Sequence, residues 1–581
     1  MSSPPAAHAA TLRETRTTRP LLVVGLDGAS FSWLKPFAEQ GLMPNVARLL
    51  QTGVHAPLHS TMPPLTPPGW ATCLTGVSPR VHGLWDFVRR ASAHRYELLP
   101  TSGLDLKAPW LWSHLEPGQR SVVLNLPFAY PAQPLHGALI TGFDTLDRNR
   151  AAQPAGLLAQ LEAELAGPYP FFYQVPAKHI RKLFPNADKA LNLAPEEQSR
   201  LEAVFRESLQ FTQQKLRAAA FMVKQAPFHF FFVHLFETDH LSHEAWSALE
   251  QPEHPAHVLW RRYAQALDAA LGELLEAAER WVSPYVALVS DHGFGPCERR
   301  LLLNDWLVEQ GLLVLKDAGR ARTPEVGGWE RIDWKRTRAY AIQTGVYVNQ
   351  KETHPQGCVP SYEVDEVVAE VLERLRETLG PEASQLRSAS GDALKPSVRP
   401  ALSPDLVLHL DGPTCIMGYG ELQGKTWAAS DGLEGYHRMD GIFVLSGAGL
   451  PAELSPGAML DPLEMVDCTP TFLHLLGCEP RTRLEGRVLP GLESSKVWAG
   501  VPSSAVAEGE TGPGVDMQGV GMQGVEMRVR RDVSSAERSA GEHPSLSSVA
   551  STQLSTPLST QLSTHEVEEM RRRLVALGYV G

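Results

Sequence analysis

No run of about 18 or more apolar residues, the length needed to cross a bilayer, occurs in this 581-residue chain. The first nineteen residues are rich in Ala, Pro, Ser, Thr and Arg and lack the apolar core of a secretory signal. Cytoplasmic residence is the expectation. Cysteine is scarce: six residues, at 73, 297, 358, 415, 468 and 478, with no CxxC pair and no metal-type spacing. Six scattered thiols in so long a chain do not make a disulfide framework. Positive charge is in deficit, with 53 Lys and Arg against 65 Asp and Glu and a net charge of -12. That balance argues against a nucleic-acid-coating role and offers no polybasic membrane anchor. An anionic substrate stays open, because bound cations reverse the field locally.

What is present is the composition of a globular chain, 43% hydrophobic and 20% charged, long enough for one large α/β domain with insertions. Three segments read as a buried strand running into a turn: Leu21 to Gly28, Phe230 to Asp239, and Val286 to Gly293. A helix over Tyr263–Trp281 leads through Ser283-Pro284 into the strand ending at Asp291. Such alternation predicts a largely parallel central sheet with helices on both faces.

Residues 1–19 read as a disordered leader and 20–498 as the main body, with cap insertions at about 100–227 and 310–400. Within the body, Met62 to Trp70 reads as a stiff, irregular loop, since proline fixes φ and removes amide donors. A strand is expected near Tyr340–Asn349, a helix near Glu363–Leu379, and loops over 318–330 and 380–400. Strands return at Asp405–Leu410 and Gly441–Ser446, and a helix from Thr469 ends at Gly477. Echoes of Gly-Val-x-Met and Ser-Thr-Gln-Leu mark 499–562 as a low-complexity linker. Residues 563–581 form a last helix opened by the capping box Ser563-x-x-Glu566. Its apolar face (Val567, Met570, Leu574, Leu577) is expected to dock on the body or on a partner.

Asp27, Asp239, His243, Asp291 and His292 cluster where the three strands end, and Thr66 and His437 stand on separate segments. Taken singly, each has a bland reading. An Asp before Gly forms turns, Thr66 could cap the helix that follows it, and His437 could be any loop histidine. Asp291-His292 is more telling, because adjacent Asp and His can ligate one ion from one rigid corner. Asp239 and His243 are one helical turn apart and can share a face. Open α/β folds put their chemistry at the carboxyl ends of strands. A mixed Asp/His set with one hydroxyl suits a pair of divalent ions and an activated nucleophile. His82, His234 and His240 match no ligand position, and tryptophans 70 and 85 are expected in the core.

The segment from Leu65-Thr66-Pro-Pro-Gly-Trp70 to Thr75-Gly76 and on to His82-Gly83, together with Asp239-x-x-x-His243, Asp291-His292-Gly and Gly435-x-His437, resembles the alkaline phosphatase superfamily. Within it the motifs, in this order, are similar to the type I phosphodiesterase/nucleotide pyrophosphatase family. Ser403-Pro-Asp-Leu-Val and the helix Asp467 to Gly477 add to the likeness, which covers most of residues 20–490 and the last helix. The resemblance implies an alkaline-phosphatase-like α/β fold and a hydrolase of small phosphate esters, diesters first. It implies two divalent ions, zinc or, with the same ligand types, manganese. One would be held by Asp27, Asp291 and His292 with Thr66 as its reactive ligand, the other by Asp239, His243 and His437. Thr66 would be the nucleophile and pass through a phospho-threonine. Alternatives within the superfamily are a phosphomonoesterase, a phosphonate hydrolase or a phosphotransferase, and from another class a non-catalytic scaffold. Where the family usually carries an Asn, three residues after the nucleophile, this chain has Gly69. No Cys- or Ser-x-Pro-x-Arg segment supports sulfatase chemistry.

Overall fold

The strand Leu21–Leu26 (β1) has every residue buried, the pattern of a strand covered on both faces. In the computed structural model it is the middle strand of a nine-stranded sheet. The structure describes residues 19–171, 197–280, 283–316, 329–391, 402–418, 422–430, 432–492 and 562–576. The other strands of the sheet are Val54–His59 (β2), Ser121–Leu126 (β3), Gly137–Thr141 (β4), Ala152–Gln153 (β5), Phe230–Leu235 (β6), Tyr285–Val289 (β7), Asp440–Ser446 (β8) and Leu463–Glu464 (β9). Their order is β9-β2-β8-β7-β1-β6-β3-β4-β5. β1 lies parallel to β6 on one side and β7 on the other. The sheet is mixed: β8 and β5 run antiparallel to their neighbours.

Side chains alternate across a strand, and β1 does so cleanly. Leu22, Val24 and Leu26 enter one apolar core with the helices Phe31–Glu39 (α1), Pro44–Thr52 (α2), Glu197–Gln225 (α4) and Pro255–Glu279 (α6). Leu21 and Val23 enter the opposite core, with the helices Thr66–Thr75 (α3) and Cys468–Leu475 (α8). Both faces are therefore covered, as the helix–strand alternation predicts. A third core lies under a smaller antiparallel sheet of Ala339–Ile342, Gly345–Val348, Leu386–Ser390 and Leu406–Leu410, packed on the helix Val364–Leu379 (α7).

Several elements differ from the sequence reading. Met62 to Trp70 is not loop throughout: α3 begins at Thr66, with prolines 67 and 68 inside its first turn, where a helix needs no amide donors. It ends at Gly76 in the left-handed conformation. The expected strand at 340–349 is a hairpin of two strands, and the loop over 380–400 contains the strand Leu386–Ser390. Residues 100–227 supply β3, β4 and β5 to the central sheet itself. α6 starts at Pro255, eight residues before Tyr263.

The described residues 562–576 belong to the same compact unit as the described residues up to 492. The expected leader (1–19) apart from Arg19, and the expected linker (499–562) apart from Leu562, lie outside the described residues, as do the side chains of Leu574 and Leu577. The terminal helix Thr564–Ala576 (α9) carries the capping box: the Glu566 carboxylate accepts from the Ser563 N–H, and Ser563 Oγ accepts from the Glu566 N–H. Met570 is buried in the third core. No described helix is long and apolar enough to cross a membrane.

Candidate metal centre

Asp27 follows β1 directly and is wholly buried. The Gly28 that follows it has φ +63° and packs under the Phe294 ring, so only glycine makes this turn without strain. Asp291 and His292 follow β7 after one intervening residue, Ser290, and both are wholly buried. β6 runs into the helix Glu237–Ala245 (α5), which carries Asp239 and His243 on one face. His437 comes from the strand Gly435–Arg438, paired antiparallel with Gly293–Pro296. Thr66 is the first residue of α3.

The fold brings six of these residues into one buried place, and Thr66, also buried, stands at the start of the helix whose Gly69 and Trp70 lie against Asp291 and Asp27. Asp239 Oδ1 lies 3.2 Å from His437 Nε2, 3.6 Å from His243 Nε2 and 4.0 Å from His292 Nε2. His292 Nε2 is 3.6 Å from Asp27 Oδ1 and 3.2 Å from Asp291 Oδ2. Two groups of ligand atoms each fall within 4.8 Å of one another: Asp239, His243 and His437, and Asp27, Asp239 and His292. Asp239 thus reaches both groups, a sharing that spacing in the sequence does not reveal. Pro64 ties the α3 side to the rest, its carbonyl 2.8 Å from His437 Nδ1. Gly69 explains the missing Asn. A Cβ there would come within 2.8 Å of Asp291 Cβ, so the first turn of α3 lies against Asp291 and has no room for a side chain.

The donor set fits cations. His437, His243 and His292 each place Nδ1 at a backbone carbonyl, of Pro64, Gly435 and Gly293 at 2.8, 3.2 and 3.1 Å. A proton on Nδ1 leaves the Nε2 lone pair facing inward, the tautomer of a metal-binding histidine. His243 Nε2 and His437 Nε2 then face each other at 3.1 Å, two acceptors with nothing to share. Asp27 Oδ1, Asp291 Oδ2, His292 Nε2 and Thr66 Oγ1 are buried without a hydrogen-bond partner among the described residues. Most buried polar atoms in proteins are hydrogen-bonded, and positive charge between these four would satisfy them together.

Burial, reinforced by the charges of Asp27 and Asp239, pushes the Asp291 carboxyl well above its ordinary range. Burial, then the neighbouring His437, pushes the His292 imidazole well below its own. Asp27 goes the other way. Burial opposes its ionisation, but the His234 hydrogen bond, the His234 and His292 charges and the Trp70 N–H outweigh that and hold it low.

His234 Nε2 is 2.8 Å from Asp27 Oδ2, and Trp70 Nε1 donates to the same oxygen at 3.0 Å. The sequence reading put Trp70 in the core and gave His234 no ligand position; both are buried, and what they hold was missed. A signal was present: His234 is the lone polar residue in the wholly buried strand β6, and a buried polar group needs a partner. His82 is packed, with Nε2 at Thr72 Oγ1, 3.0 Å away, and His240 is buried as well.

A family model for type I phosphodiesterase / nucleotide pyrophosphatase matches residues 21–436. Among solved structures, phosphonoacetate hydrolase from Sinorhizobium meliloti, in complex with phosphonoformate, aligns with TM-score 0.50 and 16% identity over 79% of this chain and 95% of that one. Its complex with phosphonoacetate gives the same values. Human ectonucleotide pyrophosphatase / phosphodiesterase 5 aligns with TM-score 0.44 and 15% identity over 81% of this chain and 97% of that one. No match was found among curated proteins. The phosphonoacetate hydrolase alignment supports the alkaline-phosphatase-like α/β fold. The family match takes in every residue of the centre except His437, which stands one position past its end, and the chain belongs to the type I phosphodiesterase / nucleotide pyrophosphatase family of hydrolytic enzymes.

Proposed function

We propose that this hydrolase cleaves phosphate diesters by attack of Thr66 Oγ1, with a phospho-threonine as the covalent intermediate, at a centre for two divalent ions. The observation that carries the reading is Thr66 itself: a buried hydroxyl without a hydrogen-bond partner among the described residues, at the start of a helix that packs on Asp291. Asp27, Asp291 and His292 would hold the ion beside Thr66, and Asp239, His243 and His437 the second. When bound, such ions lower the pKa of a hydroxyl and stabilise charge on phosphoryl and leaving oxygens.

The chain's own residues supply the rest. α3 presents its N-terminus, the positive end of its dipole, to the phosphoryl group. Trp70 and His234 fix the Asp27 carboxylate. The carbonyls of Pro64, Gly435 and Gly293 keep the imidazole protons on Nδ1 and out of the reaction space. Thr66 Oγ1 displaces the leaving alcohol, and water then releases the phosphoryl group and restores the hydroxyl.

Diester preference is supported by Arg438, the basic residue beside His437. Its guanidinium donates to the carbonyls of Tyr436, His437 and Pro296, and so is occupied rather than offered to the extra charge of a monoester. Zinc is the proposed metal, the ligand types being imidazole and carboxylate.

The test is turnover of bis-p-nitrophenyl phosphate against p-nitrophenyl phosphate with zinc added, in wild type and Thr66→Ala. Zinc-dependent diester cleavage that the variant lacks is the expected result. Preference for the monoester would overturn the diester assignment, and a fully active variant would overturn the role of Thr66.

A further inference from the structure

Two buried ion pairs join α4 to α5. Lys215 Nζ lies 2.5 Å from Glu237 Oε1, with side chains 7% and 0% exposed, and Arg200 pairs with Glu244, both at 0%. The acidic partners bracket the ligands, Glu237 two residues before Asp239 and Glu244 one residue after His243. Helical geometry sharpens the point. At about 100° per residue, Asp239 and His243 lie about 40° apart on one face. Glu237 and Glu244, seven residues apart, return to within about 20° of each other. That second face is turned by roughly 130° from the first, so α5 has a ligand face and, nearly opposite, an anchoring face.

Buried ion pairs are weak sources of net stability, since desolvation offsets most of their attraction. What they provide is directional. Each pair is satisfied in one rotation and one axial position of α5, and a shift of either kind would strand a buried charge. The Asp27 side of the centre needs no such device, because the sheet ladder places Asp27 and Asp291.

We propose that Lys215 and Arg200 are positioning residues: through Glu237 and Glu244 they lock α5 so that Asp239 and His243 meet His437 around one ion. This rests on the two-ion reading above. The effect should fall chiefly on that ion, which takes two ligands from α5, and less on the one held by Asp27, Asp291 and His292, which α5 reaches through Asp239 alone.

Zinc alone is the probe, titrated into chelated full-length protein and competed off with graded chelator, for wild type, Arg200→Met, Lys215→Met, Lys215→Arg and the double variant Lys215→Met with Glu237→Gln. Wild type should bind two ions per chain. Lys215→Met and Arg200→Met should each bind one ion about 10–100-fold more weakly, the scale of losing an outer-shell partner, and the other within about threefold of wild type. Under limiting zinc kcat should fall while the KM for the diester stays within about twofold. Lys215→Arg keeps a cation and should restore the weak site. The double variant removes both charges, so it should fold even where Lys215→Met does not, and should still show one weak site. Folded Met variants with both affinities unchanged would overturn the proposal and leave the pairs as packing. A wild type that binds no zinc would instead overturn the two-ion reading on which it rests.

Discussion

The two halves of the centre are built by different means. Asp27 directly follows β1 and Asp291 follows the adjacent parallel strand β7 after Ser290, and the ladder between them runs in register from Leu21 and Tyr285 to Gly25 and Val289. Their positions follow from the sheet. Asp239 and His243 stand on a helix that no ladder reaches, and their place depends on side chains: the Lys215 and Arg200 pairs behind, and the Thr238 hydroxyl, which donates to the Asp27 carbonyl at 2.6 Å. A sheet places ligands through its backbone, whereas a helix must be told its rotation. Within the strand-borne half, two carboxylates of equal burial are pushed in opposite directions. Asp27 has His234 and Trp70 and stays ionised, while Asp291 has one backbone amide, from Gly28 at 3.2 Å, and resists ionisation until a cation arrives.

The largest expected effect breaks the chemistry and leaves both halves standing. Thr66→Ala should lower diester turnover by about four orders of magnitude or more while wild type and variant hold the same zinc content by elemental analysis. Next come substitutions that separate the halves. His243→Ala should weaken one ion, Asp27→Asn the other, and Asp239→Asn both, since its Oδ1 lies close to both groups. Equal single-site losses for all three, read by zinc titration, would refute the sharing by Asp239. Smaller again is the support of Asp27. His234→Ala or Trp70→Phe should cost about 10–100-fold in zinc affinity on the Asp27 side, and an unchanged titration would reduce both to packing.

A buried carboxyl outside the ligand set gives the comparison a control. Burial pushes Asp144 up to about 7, against the backbone amides of Phe128, Asp144 and Tyr130. Its folded pKa is raised, so the native state binds the proton more tightly than the unfolded chain. Stability from this group is greatest in acid and falls as pH rises from about 4 to about 7. Asp144→Asn should therefore stabilise the protein at pH 8, by up to about 4 kcal/mol, and flatten that part of the curve in denaturant titrations. A variant less stable at pH 8 would contradict the sign. Least of all, deleting residues 500–561, within the expected linker, should leave kcat within about twofold. A large loss would make the expected linker part of the catalytic machine.

Much of this centre was legible in the sequence because strand-end ligands announce themselves. Leu21 to Asp27 and Val286 to His292 are apolar runs that stop at an acid, and Asp239-x-x-x-His243 has helical spacing. The buttresses were not legible. His234 and Trp70 reach Asp27 from 207 and 43 residues away, and Arg200 reaches Glu244 from a separate helix, so only tertiary packing defines these pairs. The start of α3 was misread for a local reason: Pro67 and Pro68 look like loop residues, yet they occupy the one turn of a helix that tolerates them. Gly69 read as a gap in the family pattern until the structure placed Asp291 against it.

The central claim is covalent, and acid-quenched turnover tests it most directly. Wild type mixed with zinc and excess diester, stopped within the first turnovers and digested, should yield a phosphoryl adduct on the peptide containing Thr66, absent from Thr66→Ala. Full diester turnover with no adduct on that peptide, and with Thr66→Ala still active, would contradict the account.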